Sequence, residues 1–586
     1  MKRNSFIKMS ALAVLAPLGK SVFARSAVNG FWFGDNIFKR AVAANDKEVD
    51  SLLQTVSVEN FNFGRRAALD FATLTASYCY AGSVHYRNPL IISRLEILIE
   101  ELEKFQTEDG TINVGNLESP PDTAFLLEPL SASAFLLIKD NSPATGNAQE
   151  KLKAFILKAA DALATGGVHT PNHRWVICAA LARVHKVYPN KKYINRIEDW
   201  LGEGIYIDSD GHYPERSRLY GGVENNSLLT MGRLLNKPAL FEPVRKNLTN
   251  TYYYMEPDGD LVTTDSRRQD QYIGKTIVSY YLYYRYLAIK DNNSNFAGIA
   301  KLIEQMKGFE EEVLNRSLFH FLENDVLQQP LAVAKDPAIN YEKFFATSQL
   351  LRIRWGNKTT TLFGGVDWPI IIASGRSNSP NFYAFRKGGA ILKYMRLSSG
   401  FFNMGYFYSE GIKREGNKYI LHKKLSVPYY QPLPKNKRHA DGDYTLSPSI
   451  DDRFWNKMDF SNRPVSNVKT LDTTIIFSEI NNTNEINFNV TGLKGVPVTI
   501  ELCFAEGGKL SGVTTTKEGN NFLESGTGKY ELGEDSIQFG PGAVAHKTIA
   551  NLEGERYSTH FGNLRTKGMY VYITGTTPFE HKLIFS

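Results

Sequence analysis

GHYPERSRLYGGVENN, residues 211–226, is the stretch on which the reading of this chain turns. It lies between two segments with helical spacing of apolar residues. Asp210-Gly211 marks a turn, and Pro214 keeps a helix from starting earlier. Two glutamates, two arginines, two tyrosines, two asparagines and a histidine crowd into it. Loops of this chemistry on a rigid helical scaffold are where sites are usually built. The same residues also suit a structural role, with Tyr213 and Tyr220 packing under wet hydroxyls and Glu215-Arg216 pairing at a helix start.

Working outward, the sequence from about residue 49 to 309 is helical. Residues 65–80, 88–105, 147–165, 172–187, 191–201 and 271–289 carry apolar side chains at three- and four-residue steps. Asp109-Gly110, Gly166-Gly167, Pro189-Asn190 and Asp258-Gly259 punctuate them. Stretches such as 124–138 are apolar on more than one face, which predicts an inner ring of helices covered by an outer one, an (α/α) toroid. After a transition over 310–380 the period changes. Residues 381–386, 390–397, 473–478, 486–490, 497–504 and 569–574 alternate as strands do, predicting an antiparallel β-sandwich over 381–586. The fold class expected is therefore α+β and multidomain, a toroid followed by a sandwich.

The remaining signals bound the function. Residues 1–8 carry three cations, 9–18 are apolar and short, and Val22-Phe23-Ala24 offers small residues for cleavage. That pattern predicts a signal peptide over 1–24, an N-terminal segment over 25–48, and export to a periplasm, with no membrane span. Cys79, Cys178 and Cys503 have no metal or disulfide spacing, so no metal or cofactor is expected. The net charge of +7 is spread without a dense basic run, which sets nucleic acid aside and leaves a mild bias toward anionic partners. The 30 tyrosines and 35 phenylalanines suit stacking on sugar rings.

Four polar clusters fall at helix connections: 110–122, containing Asn116; 170–175, containing Asn172 and His173; the opening stretch itself; and 258–272, containing Arg267, Arg268 and Tyr272. Every second connection of an antiparallel helical array lies at one end, so the four are expected to line one cleft mouth. Pro171 suits a helix start, and the free N–H groups behind it would favour a carboxylate near Asn172 and His173, unless Asn172 simply caps the helix.

Asn172-His173 before an apolar helix, followed by Gly211-His212-Tyr213-Pro214-Glu215-Arg216-Ser217-Arg218-Leu219-Tyr220 and by Pro257-Asp258-Gly259-Asp260 with Thr264-Asp265-Ser266, resembles the heparinase II/III and alginate-lyase group of polysaccharide lyases. The resemblance covers about residues 49–309 and extends to rhamnose–glucuronate lyases of Bacteroidetes as a divergent relative. The sequence departs from the group where a Gly-His-x-His element belongs, His439 being the nearest candidate, and where Arg218 replaces a frequent proline. The resemblance implies β-elimination at a uronic acid of an anionic oligo- or polysaccharide. Asn172 would neutralise the carboxylate. Tyr220 would transfer the proton, with Arg216 and Arg218 nearby to favour its ionised form, His173 as partner base and Tyr213 as the competing tyrosine. Substrate contacts would come from His212, Arg216, Arg218, Asn226, Arg267, Arg268, Tyr272 and Asn116.

Two other classes remain open on the residues alone. A glycoside hydrolase would use two acids among Glu118, Asp122, Glu215 and Glu224. A glycan-binding protein would bind without turnover.

Overall fold

A computed structural model describes residues 37–586 except 62, 116, 269, 271–273, 366–378, 403, 445–457, 481–482 and 550–566. The expected signal peptide, Asn116 and Tyr272 lie outside the described residues. The chain divides into two compact units. A helical unit comprises Met1–Ile205, Val223–Val244 and Val278–Asp336; a sheet unit comprises Tyr206–Gly222, Arg245–Ile277 and Pro337–Ser586.

In the helical unit, local sequence sets where helices begin. Asn88, Ser119, Asn190 and Asn293 each accept a backbone N–H just inside the next helix, and Pro89 and Pro120 follow the first two caps. Arg65–Cys79, Pro120–Asp140 and His173–Val187 are buried around much of their circumference. They pack in series, Pro120–Asp140 touching both of the others. Pro89–Glu103, Gly146–Thr165 and Lys191–Leu201 bury a single stripe against them. This alternation of wholly buried and one-sided helices is the inner and outer layering of a toroid. Pro120–Asp140 is long and apolar enough to cross a membrane, but 72% of its most apolar window is buried in the fold. Helix already runs over Ile37–Thr55, ahead of the expected start at 49, because Ile37, Ala41, Val42, Val49 and Leu52 form a buried stripe.

The sheet unit holds two large sheets among the described residues. One orders Asn340–Phe345, Leu350–Trp355, Lys358–Phe363, Tyr383–Lys387, Ala390–Ser399, Pro497–Phe504 and Met569–Thr576 side by side, all antiparallel. The other is built on a long ladder of Lys418–Tyr430, Val465–Ile480, Thr483–Gly492 and Phe579–Phe585. Alternation sets its register: Leu471, Ile475 and Phe477 point inward, with Ile475 opposite Phe488 and Leu421. Leu351, Phe385, Leu392 and Ile500 of the first sheet share one core with Leu421, Phe477, Phe488 and Leu583 of the second, which makes a sandwich.

Two expected boundaries move. The strands of the sheet unit begin at Asn340, inside the stretch read as a transition: Leu350–Trp355 alternates as Leu351-Arg352-Ile353-Arg354-Trp355 with both arginines buried, while Lys358–Phe363 opens Lys358-Thr359-Thr360-Thr361 and offers no alternation to read. Residues 206–222 and 245–277, read as part of the toroid, fold with the sheets. Their partners explain it. Thr347 Oγ1 donates to Asp208 at 2.6 Å, Tyr252 donates to the Ala338 carbonyl at 2.8 Å, and Arg352 pairs with Glu256 at 2.8 Å.

Candidate functional site

The opening stretch is bound into the sheet unit by a buried polar chain. Gly211 sits at φ +80°, and a Cβ there would lie 2.8 Å from the Lys246 carbonyl oxygen, so only glycine fits. His212 follows, buried, with Nδ1 3.2 Å from Asp208 Oδ2 and Nε2 2.7 Å from the Tyr254 hydroxyl. The Tyr254 hydroxyl donates to Asp265 Oδ2 at 2.9 Å. Asp265 Oδ1 accepts from Arg218 Nη2 at 2.6 Å, and the Arg218 guanidinium lies 3.6 Å from the centre of the Tyr254 ring. Phe345 closes over both rings, 5.6 Å from His212 and 4.4 Å from Tyr254.

Charge pairing decides the electrostatics. Burial pushes the Asp265 carboxyl up, but Arg218 and His212 outweigh it and hold it below the usual carboxylate range. Asp208 behaves alike: burial opposes, and the His212 and Thr347 hydrogen bonds pull it down. Tyr254 goes the other way, raised by burial and by Asp265, so it stays a neutral donor.

A second set fixes the start of the helix Arg218–Leu234, which carries Tyr220 in its first turn. Ser217 Oγ accepts the Tyr220 N–H at 3.0 Å and donates to Asp270 Oδ2 at 3.0 Å. Asp270, buried, also accepts the Arg218 N–H at 2.8 Å, placing a carboxylate against the positive end of the helix. Just before it, Arg216 adopts φ +49°, a sparsely populated conformation for a non-glycine residue, and donates to the Thr347 carbonyl at 2.9 Å. Arg268 pairs with Glu215, and its guanidinium lies 4.3 Å from the centre of the Tyr220 ring. Arg267 donates to the Pro214 carbonyl at 2.8 Å. Tyr220 is half-buried, whereas Tyr213 is buried.

These placements correct several expectations. Arg218 is committed to Asp265 in the interior and is not placed for a substrate carboxylate. His212 is likewise a buried link, not a substrate contact. Arg268 lies against the Tyr220 ring, while Arg216 and Arg218, closer in sequence, reach Thr347 and Asp265. Arg216, Arg267 and Arg268 are half-buried and hold the loop by one contact or more each. Asp208, Tyr254, Asp270 and Thr347 carry the arrangement and were not singled out from sequence. Thr347 is 139 residues from Asp208, and no local pattern announces that pairing.

In the helical unit, Asn172 is fully buried at the head of His173–Val187. Its backbone carbonyl accepts Trp175 N–H at 3.1 Å, but its side chain makes no capping bond, so the amide is not spent as a cap. His173 is half-buried and meets Phe125 and His169 edge-on, at 6.4 Å and 5.1 Å between ring centres. Asn226 donates to both carboxylate oxygens of Glu128, at 2.9 Å and 2.8 Å. Glu128 in turn belongs to an ionic lattice with Arg183, Glu323 and Arg233. Asn226 is thus a lattice member rather than the free substrate contact expected.

Of the acids a hydrolase would use, Asp122 holds the Ser119 hydroxyl at the helix start and Glu215 holds Arg268. Glu224 is buried at 1% exposure, and Glu118 is exposed on a two-residue strand. Among the described residues no group of three or more His, Cys, Asp or Glu is arranged to hold a metal.

The sequence matches no family model and no curated protein. Solved structures do match. Heparinase III aligns with a TM-score of 0.54 at 13% identity over 88% of this chain and 75% of its own. The chondroitin AC lyase of Streptomyces coelicolor A3, solved with chondroitin sulphate, gives 0.52 at 11% identity, over 100% of this chain and 81% of its own. Paenibacillus xanthan lyase gives 0.53 at 10% identity, over 94% and 57%. The fold is one that polysaccharide lyases use. It is α+β, with toroid and sandwich as the sequence predicts.

Proposed function

We propose that this chain is a polysaccharide lyase that cleaves a uronic-acid-containing glycan by β-elimination. The observation that carries the proposal is a half-buried tyrosine, Tyr220, held in the capped first turn of a helix with the Arg268 guanidinium against its ring, in a fold shared with three polysaccharide lyases. Preorganised placement of this kind is what proton transfer at a weakly acidic carbon requires.

The step is simple to balance. The Tyr220 oxygen takes the C5 proton; the C5–H electrons form the C4=C5 double bond, and the C4–O bond breaks. The leaving oxygen takes up a proton to become the hydroxyl of the released chain. C5 gives up its proton only if the charge of the adjacent carboxylate is neutralised, and Asn172 is assigned that task with its amide. His173 is assigned the partner proton transfer, its imidazole titrating near neutrality when unperturbed. Arg216, Arg267 and Arg268 are assigned the substrate's anionic groups, because a guanidinium fork binds carboxylates bidentately. The rhamnose–glucuronate linkage is the substrate favoured by the sequence resemblance. Export to a periplasm through residues 1–24 belongs to the same reading, and intact-mass measurement on the native protein tests it.

The product carries a double bond conjugated with its carboxylate, so a screen of uronate glycans for absorbance at the ultraviolet edge tests the reading directly. Cleavage that yields saturated ends, or no cleavage of any uronate glycan, would overturn it. Equal activity on a carboxyl-reduced glycan would remove the charge-neutralising role of Asn172.

A further inference from the structure

An aromatic platform stands on the sandwich, built from residues not yet invoked in the chemistry. The strands Lys418–Tyr430 and Val465–Ile480 pair beyond the end of the apolar core. Leu425 and Val427 still pack on that core, but Tyr429 and Tyr430 are 48% and 39% exposed. Tyr430 rests on Phe460 at 4.7 Å between ring centres. Tyr429 meets Phe402 edge-on, 6.1 Å between ring centres at 62°, and Phe402 is itself 43% exposed. Contiguous exposed aromatic surface of this kind marks an interaction site more often than a solvated face.

Phe402 supplies an independent sign. It sits at φ +50°, a conformation that costs a bulky residue of the order of 1–3 kcal/mol. The turn holding it is over-determined: Gly400 N–H donates to the Pro497 carbonyl, Phe407 N–H to the Leu397 carbonyl, and Phe401 is buried in the core. With Phe401 anchored, the strained residue is the one that turns its ring to water. A glycine would fit the backbone without strain, yet an aromatic stands there.

Charge completes the pattern. The chain leaves Tyr430 as QPLPKNKR, residues 431–438, with Leu433 buried as an anchor and Lys435, Lys437 and Arg438 exposed. Acids come only afterwards, at Asp441 and Asp443. Flat rings beside flexible cations suit a chain of sugar rings that carries negative charge, since C–H faces stack on aromatics and anionic groups meet the lysines.

We propose that Phe402 and Tyr429 form a stacking platform for an anionic glycan chain, with Lys435 and Lys437 meeting its charges. The choice of occupant rests on the lyase reading above. The test is affinity electrophoresis of the Tyr220→Phe protein in gels containing alginate, chondroitin sulphate, heparan sulphate, xanthan or neutral dextran. The parent is expected to be retarded by at least one anionic glycan and not by dextran. Phe402→Ala with Tyr429→Ala should weaken that retardation about tenfold, and Phe402→Tyr with Tyr429→Trp should retain it. Phe402→Gly should lose affinity while its melting temperature stays level or rises, which separates binding from folding.

The platform is overturned if the double alanine variant binds within twofold of the parent, if dextran retards equally, if no anionic glycan retards the parent, or if the substitutions instead abolish self-association seen by sedimentation. Cleavage by the wild-type chain with an unaffected double variant would sink the platform alone. Platform-dependent binding with no ultraviolet-absorbing product would sink the lyase reading alone.

Discussion

Each unit buries a charged network, and the two are built differently. In the helical unit, Arg183 is shared by Glu128 and Glu323, Glu323 also pairs with Arg233, and Asn226 bridges the two oxygens of Glu128. Every member has more than one partner or borders a small cavity of about 50 Å³ that Arg183, Asn226, Arg233, Tyr283, His320 and Glu323 help to line. In the sheet unit, Asp208, His212, Tyr254, Asp265 and Arg218 run as a buried chain of hydrogen bonds, with Phe345 packed over the His212 and Tyr254 rings. A lattice with room for water tolerates the loss of a member. A sealed series does not, because a buried charge that loses its oppositely charged partner has little solvent to turn to. The sealed series is the one that holds the segment leading to Tyr220.

The largest expected effect tests that difference. Asp265→Ala strips the buried Arg218 of its carboxylate and should cost about 3–5 kcal/mol, read by denaturant unfolding. Glu323→Ala leaves Arg183 with Glu128 and should cost about 1–3 kcal/mol. Equal losses would show that sealing and redundancy do not govern the two networks.

Next is activity. Tyr220→Phe keeps the ring beneath Arg268 and removes only the hydroxyl, so turnover should fall by at least about a hundredfold with an unchanged circular-dichroism spectrum. Tyr213→Phe, altering a buried residue of the same loop, should change turnover far less. Full activity in Tyr220→Phe would take this residue out of the mechanism.

Acid should loosen the helical unit. Burial pushes the His320 pKa down to about 4, with Arg183 adding to the effect and Glu128 opposing it. An unfolded histidine titrates near 6.5, so between that pH and about 4 the unfolded chain binds the extra proton and stability falls as pH falls. Glu323 sits at about 2, because Arg183 and Arg233 outweigh its burial; its contribution is present above the unfolded carboxylate range and is lost only as pH falls toward 2. Asp208 and Asp265, also lowered, follow that carboxylate pattern. Hydrogen exchange corrected for intrinsic pH dependence should therefore show the helical unit weakening between pH 6.5 and 4. His320→Gln should flatten that slope by up to about 1.4 kcal/mol per pH unit.

How much of this was legible in the sequence follows from the range of the interactions. Helix Lys191–Leu201 and strand Pro497–Phe504 have the bounds that periodicity gave, because each is set by its own side chains and caps. Strand Lys358–Phe363 escaped because its Lys358-Thr359-Thr360-Thr361 opening carries no alternation, and Leu350–Trp355 escaped although Leu351, Ile353 and Trp355 alternate with two buried arginines. At the site, Tyr220, Glu215 and Arg268 were legible as a polar concentration. What each holds was not. Arg216 and Arg218 sit beside Tyr220 in sequence but turn to Thr347 and Asp265, one through a left-handed backbone and the other through a buried ion pair. Spacing along the chain gave proximity, and only the folded backbone gives direction.

Asn226 is the smallest and sharpest case. Its neighbours in sequence made it a candidate substrate contact; its amide instead spans the two carboxylate oxygens of Glu128. Glu128 keeps Arg183 when Asn226 is removed, so Asn226→Ala should cost only about 1 kcal/mol, the worth of a hydrogen bond to a charged group less what water in the adjoining cavity restores. Once a cleaved glycan is in hand, KM should change less than twofold. A KM raised tenfold with an unchanged melting temperature would return Asn226 to the substrate and make the lattice part of the site. A loss above about 3 kcal/mol would show that the helical network is as unforgiving as the sealed series, and the contrast between the two units would fail at its most redundant member.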